Sequence, residues 1–426
     1  MSSPPSRIVL AYVGTAHLAL LGAAVLAVVA ADELAQSYLH PRVLALVHLV
    51  TLGWLTSTAL GAVYALLPMV LRARVVVRWP DVVACIAVLA GSSGVVAHMG
   101  LATYSGLAWS GGTIAVGAAW VGIRATFSLL PTTTPRLQKI SIPLALFGLV
   151  AAACVGALVA VDRGAPLFAG GHLRAIAAHA HLALVGWLLL LTVGVGQRLL
   201  PMLLAAHPNG GRRPSLIVSL LALGAFALPT LWLLSPPGSR WPFAAALPIG
   251  AGLALFAWDL LALRRHAVPK ARDLPRRDPA LVLIACAPIC LVAALVLGLT
   301  MLVADLDQGY AALYGVLVLF GGFGSLVLGV GLRLWPLFAY LRAFARSGAV
   351  PESTPATLPS YGLQWIVVGS WMVAGVLLGV GVTTHHGTVV RVGGLAWTLA
   401  SLAAIANFGL VLMRARRTRR MAVAAR

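Results

Sequence analysis

A chain of 426 residues that is 61% hydrophobic and only 9% charged is not composed like a soluble domain, in which about a quarter of residues are charged. Its formal charge of +20 would suit a nucleic-acid binder, but the basic residues segregate along a membrane topology instead of gathering on one binding face. The four cysteines, Cys85, Cys154, Cys286 and Cys290, all fall in apolar stretches and imply no disulfide framework.

A helix needs about 20 apolar residues to cross a bilayer. Twelve such runs are predicted in chain order, over roughly 8–31, 41–71, 81–103, 107–130, 140–161, 173–204, 215–235, 242–263, 280–304, 309–340, 361–382 and 391–413. The first is long enough to be a span and not a cleavable signal. The breaks between runs are short and carry Pro, Gly or Arg.

Two runs share one apolar pattern. Residues 48–69 (HLVTLGWLTSTALGAVYALLPM) and 181–202 (HLALVGWLLLLTVGVGQRLLPM) agree at 10 of 22 positions, with His48/His181, Gly53/Gly186, Trp54/Trp187, Gly61/Gly194, Pro68/Pro201 and Met69/Met202 each 133 apart. A third copy at 316–337 keeps Gly321, Gly329, Arg333 and Pro336 but has Val316 in place of the histidine. A fixed period of this kind marks a repeated structural unit. The predicted fold is an all-α membrane protein of twelve transmembrane helices in three four-helix repeats related by pseudo-threefold symmetry. The repeats cover 1–135, 136–270 and 271–426 of one transmembrane domain.

An even number of spans places both termini on one side. Of the 30 Lys and Arg, 25 then lie on that side, and Arg42, Arg163, Arg174, Arg240 and Arg391 on the other. Such a bias marks the cytoplasmic face, so both termini are expected in the cytoplasm. The Ala/Val/Leu/Gly/Arg bias suggests a bacterial plasma (inner) membrane, with the lipid bilayer as the first partner and no nucleic acid.

With this orientation His48, His98, His179 and His181 fall in one layer, the outer half of the membrane. Ionisable groups there are costly and usually functional. Neutral imidazole is the commonest transition-metal ligand and an axial ligand of haem iron. His48, His181, His179 and His98 are therefore the candidate metal ligands. The glycines of the two matching runs remove bulk where a flat macrocycle would need room. His179 and His181, two residues apart on a helix, project about 200° apart and cannot share one ligand position. Arg42 and Arg174, with Arg163 and Arg391, lie on the histidine side and are the candidate partners for haem propionates.

Plainer roles stand beside these. His17 is a candidate for a hydrogen bond to a neighbouring helix, His40 and His172 for interfacial or propionate contacts, and His385–His386 for solvation or an entry role. Cys286 and Cys290 share a helix face at i,i+4, which suits soft copper or simple packing. Arg198 and Arg333, at matching positions of two copies, are expected to snorkel to the interface. Asp259 is read as the one carboxylate clearly inside a span.

Twelve helices in three repeats, with outer-half histidines at His48 and at His179-Ala180-His181, resemble subunit I of the haem–copper oxidase superfamily, which includes the nitric oxide reductases. The NnrS-type haem–copper membrane proteins are similar in size and layout. The resemblance implies a b-type haem held by His48 and His181, copper as a second metal near His98 and His179, and a small gas ligand such as NO or O2. It also implies an electron donor or an oxidase-like partner subunit. The pattern departs from the family in three places. Residues 309–340 and 215–235 contain no histidine where the oxidases carry theirs, and Ala183 and Val185 stand where a copper-site tyrosine would be. With the ring read one repeat out of phase, His48 and His98 take copper-type places and His179-x-His181 the haem-type place. The expected function is redox or small-gas chemistry on a haem, with enzymatic turnover left open. The alternatives are a permease for a metal or small solute, or a non-catalytic oxidase-like assembly or sensing subunit.

Overall fold

The computed structural model describes residues 6–204, 206–207, 211–236, 239, 241–265, 278–344 and 354–424. The repeat boundary expected at 270/271, His266 and most of the basic segment around it lie outside them. Among the described residues, twelve helices are long and apolar enough to cross a membrane. They are α1 (Arg7–Val29), α2 (Pro41–Met69), α3 (Trp79–Gly100), α4 (Tyr104–Leu129), α5 (Arg136–Asp162), α6 (His172–Met202), α7 (Arg213–Leu234), α8 (Trp241–Leu263), α9 (Pro279–Met301), α10 (Gln308–Phe344), α11 (Tyr361–Thr383) and α12 (Gly387–Arg420). Large apolar side chains point outward along them: Trp109, Val116, Leu247 and Ile289 are each at least 70% exposed. Such a surface is stable only against lipid, so this is an integral membrane helical protein.

The helix ends follow local chemistry. Asp278 and Asp307 cap the N-termini of α9 and α10, their carboxylates accepting from Ala280 N at 2.9 Å and Gly309 N at 2.7 Å. Ser360 caps α11 in the same way through Leu363 N. The last helix outruns its apolar stretch, continuing to Ala424 through the arginines that follow Met413. Arginine is a good helix former, and the Arg414 guanidinium holds the Leu358 and Pro359 carbonyls, so helical bonding persists where hydropathy stops.

Three spans contain π-helical stretches: Leu49–Thr56 in α2, Leu182–Leu189 in α6 and Val316–Gly324 in α10. These are the aligned positions of the three sequence copies. The geometry is uncommon, and runs of eight or nine residues more so. Ser57 and Ser325 close two of the stretches, each donating its hydroxyl to the carbonyl five residues back, at Leu52 (3.1 Å) and Phe320 (3.4 Å).

The helices form two compact units. The first comprises 1–69, 96–103 and 272–426, and the second 70–95 and 104–271. In the first, α1 packs on α2 and α12, α11 on α12, and α9 on α10. Its centre is aromatic: Trp371 stacks on Phe320 with centroids 3.7 Å apart, while Trp54 and Trp397 meet Trp371 edge-on. The buried Trp371 indole N–H donates to Ser325 Oγ at 2.9 Å. In the second unit, α4 packs on α5, α5 on α6, and α6 and α8 on α7. The α5–α6 contact is backbone on backbone, since a Cβ on Gly148 would collide with the Gly186 carbonyl oxygen.

Buried charges are paired at the helix ends. Asp81, fully buried in the first turn of α3, accepts from Arg124 Nε, Trp120 Nε1 and Arg78 N. Asp259 holds Arg213, and Asp278 holds Arg333. One reading of the sequence changes accordingly: Asp259 is not alone within the spans, because Asp81 is equally buried. Arg333 reaches the capping carboxylate at the end of the neighbouring helix.

Candidate functional site

His48 is the residue immediately before the π-helical stretch of α2, and His181 the one before that of α6. Both are half-buried. His48 Nδ1 lies 2.7 Å from the Leu44 carbonyl oxygen, and His181 Nδ1 2.9 Å from that of Ala177. A carbonyl only accepts, so each Nδ1 carries the hydrogen and the lone pair of the neutral ring sits on Nε2. A carbonyl holding one imidazole nitrogen is the usual way to orient a ligating histidine. The second unit adds a wall to His181, whose ring meets Trp232 of α7 edge-on at 4.6 Å between centroids. Trp54 and Trp187, six residues after each histidine, are buried.

The tie to the carbonyl four residues back is not unique to these two. His17 makes it to Val13 at 2.7 Å, and its ring stacks on Phe408 with centroids 4.8 Å apart. His17 lines a cavity of about 20 Å³ with Trp54, Thr58, Trp335 and Asn407. That is room for about one water and far too little for a macrocycle. The Thr58 hydroxyl, buried at this cavity, has no protein partner among the described residues. What separates His48 and His181 from His17 is their shared position in the repeat and at the head of a π-helical stretch.

His179 points away from His181, as the helical spacing requires. Its Nδ1 reaches across to the Ala152 carbonyl of α5 at 2.9 Å, and its ring lies over Gly156, where a Cβ would come within 2.7 Å of Cε1. The ring thus rests in a cradle that any other residue at 156 would fill. His98 closes the end of α3, with Nδ1 2.6 Å from the Thr103 carbonyl oxygen. His48 and His98 belong to the first unit, and His179, His181 and Arg174 to the second.

The arginines expected near propionates are engaged by protein groups. Arg174 donates to the carbonyls of Ser235, Pro236 and Ser239, and so caps the end of α7. Arg42 is exposed and bonded to Glu33 at 2.8 Å. Arg391 pairs with Asp32, and Arg163 lies 3.9 Å above the centre of the Tyr104 ring. His172 is held by Asp162 at 2.6 Å, and His40 accepts from Arg42 N as the cap of α2. His385, in a left-handed conformation at φ 57°, bonds the Ala35 carbonyl.

The donor set fits haem in one respect and a copper cluster in none. His48 and His181 are half-buried imidazoles with the lone pair on Nε2 and a ring fixed through Nδ1, as a haem ligand requires. Among the described residues, no three His, Cys, Asp or Glu are grouped closely enough to hold a metal ion. Cys286 and Cys290 approach to 3.7 Å between sulfurs without a third ligand of those types. Sequence reasoning found the histidines through the repeat, but it missed the π-helical geometry beside them and the cradle at Gly156.

No protein-family model matches this chain, and no curated protein matches it either.

Proposed function

We propose that this integral membrane protein binds haem, which His48 and His181 would hold, and that it serves redox or small-gas chemistry in a bacterial plasma membrane. The three four-helix repeats with cytoplasmic termini, and an electron-donating or oxidase-like partner subunit, belong to the same proposal. The observation that carries it is a coincidence of two kinds of register. The only two copies of the repeat that hold a histidine place it directly before a π-helical stretch and fix it there by Nδ1. Irregular helical turns of this kind concentrate at functional sites.

A bound haem would supply a one-electron couple and, where a single imidazole holds it, an iron able to take a diatomic gas such as NO or O2. The protein's own contribution is orientation. The Leu44 and Ala177 carbonyls set each imidazole plane, and Trp232 restrains the His181 ring from one side. Arg42, exposed and held by one carboxylate, is better placed to change partners for a propionate than Arg174, which three carbonyls hold. His98 and His179 remain candidates for a second centre, but the described residues do not form a three-ligand copper site, and no step is assigned to copper.

The test is an absorption spectrum of protein purified from haem-supplemented cells. A Soret band and a reduced-minus-oxidised α band are expected, weakened in His48→Ala or His181→Ala and lost when both are replaced. No Soret band in the wild type, or one that survives the double replacement, would refute haem ligation by this pair.

A further inference from the structure

Arginines at the basic ends of the helices fall into two groups. Arg124, Arg213 and Arg333 each meet a carboxylate. Arg198 occupies the same place in its copy of the repeat as Arg333 does in the third, yet it has no carboxylate partner among the described residues. Arg198 instead lines a cavity of about 250 Å³ in the second unit, together with Arg72, Leu71, Thr133, Thr134 and Pro135. Arg72 has no carboxylate partner among the described residues either, and none of the residues lining the cavity is acidic.

The walls of this cavity are fixed. The buried Thr134 hydroxyl donates to the Leu71 carbonyl at 2.6 Å, tying the segment after α4 to the segment after α2. The Lys139 ammonium donates to the Leu130 and Thr132 carbonyls, so the negative ends of those peptides are already covered. Arg72 itself stands at φ 54°, a left-handed conformation that a long side chain seldom adopts. Strain of this kind is kept where the side chain it directs has a task. Two arginines lining one cavity with no acidic residue in its lining can form an anion site, because each guanidinium is a planar fork of donors matched to tetrahedral oxyanions. The volume leaves room for such a group with several waters, a water's share being about 30 Å³.

We propose that a phosphate-type oxyanion, from a lipid headgroup or from solution, binds between Arg72 and Arg198 on the face that the charge bias assigns to the cytoplasm. The site is independent of any haem. Basic residues there serve topology in general, but topology needs only their charge. It needs neither a shared cavity nor a strained backbone.

The experiment uses the full chain in zwitterionic detergent at constant ionic strength, following the thermal unfolding midpoint. Inorganic phosphate, dihexanoyl phosphatidylglycerol and dihexanoyl phosphatidylcholine are titrated separately. A saturable rise with phosphate or phosphatidylglycerol, absent with phosphatidylcholine, is expected. Response to both identifies the phosphate group itself as the determinant, and response to phosphatidylglycerol alone identifies the headgroup. Arg198→Gln should weaken the apparent affinity about ten-fold, the usual effect of losing one charge-assisted contact. Arg72→Gly, which suits the left-handed backbone and should fold at least as stably as wild type, should weaken it similarly. Arg416→Gln with Arg419→Gln, on the exposed end of α12, should leave it unchanged. No saturable response to either anion would overturn the proposal, as would equal loss in the Arg416/Arg419 variant.

Discussion

Asp81 offers the sharpest test of how this protein holds charge. Its carboxylate has no exposed surface and accepts from three donors: Arg78 N at 2.7 Å, Trp120 Nε1 at 3.1 Å and Arg124 Nε at 3.2 Å. Replacing it with alanine removes all three bonds and leaves the Arg124 guanidinium, only about a quarter exposed, without its counter-charge. Removing one partner of a buried pair generally costs about 3–5 kcal/mol, most of it the penalty on the charge left behind. Asp81→Ala should therefore lower stability by about that amount. Asp81→Asn keeps the shape and one acceptor oxygen and should cost less, about 1–2 kcal/mol, the range of a lost hydrogen bond. Arg124→Met alone removes the stranded cation, so the double variant Asp81→Ala/Arg124→Met should recover a good part of the loss. Equilibrium unfolding in mixed detergent micelles reads all four variants. Additive single effects, or an Asp81→Ala cost below about 1 kcal/mol, would show that the pair is solvated and that burial has been misjudged.

Three further outcomes follow from contacts already described. Gly148→Ala places a methyl against the Gly186 carbonyl of the π-helical stretch and should cost about 1–3 kcal/mol by overpacking, seen as a lower unfolding midpoint. Trp371→Phe loses the bond to Ser325 and part of the buried ring volume, at a cost of about 2–3 kcal/mol; with Ser325→Ala already present the cost should fall by about 1 kcal/mol, the share of the hydrogen bond. Gly156→Ala fills the cradle under His179 and should break the bond to the Ala152 carbonyl. A midpoint for Gly156→Ala/His179→Ala no lower than for His179→Ala would confirm that the glycine exists for that ring.

The spans were legible because the bilayer imposes a minimum apolar length, and each of the twelve begins and ends within about four residues of its apolar run, apart from the C-terminal end of α12. That helix runs on because helical hydrogen bonding does not depend on hydropathy, and arginine favours it. The π-helical stretches left no trace in composition: LVTLGWLT reads as apolar helix, and the shift to bonds five residues back depends on what packs against it. The histidines were legible through repetition. Their hydrogen-bond partners were only partly so, since Leu44 and Ala177 lie one turn away, whereas His179 finds Ala152 on another helix. The pairing of Arg333 with Asp278 joins residues 55 apart, and Arg72 reaches a common cavity with Arg198, so local pattern carries neither.

A helix whose bonds skip an extra residue turns less per step than its neighbours. The side chains of α2 before Leu49 and after Thr56 are therefore out of phase with a single 100° wheel, as they are across Leu182–Leu189 and Val316–Gly324. A cysteine scan of any of these spans, plotted on one continuous wheel, would assign lipid-facing positions to the interior beyond the wide turn. Each such span is better treated as two helices of unlike azimuth sharing an axis, with the histidine of α2 and α6 standing at the seam.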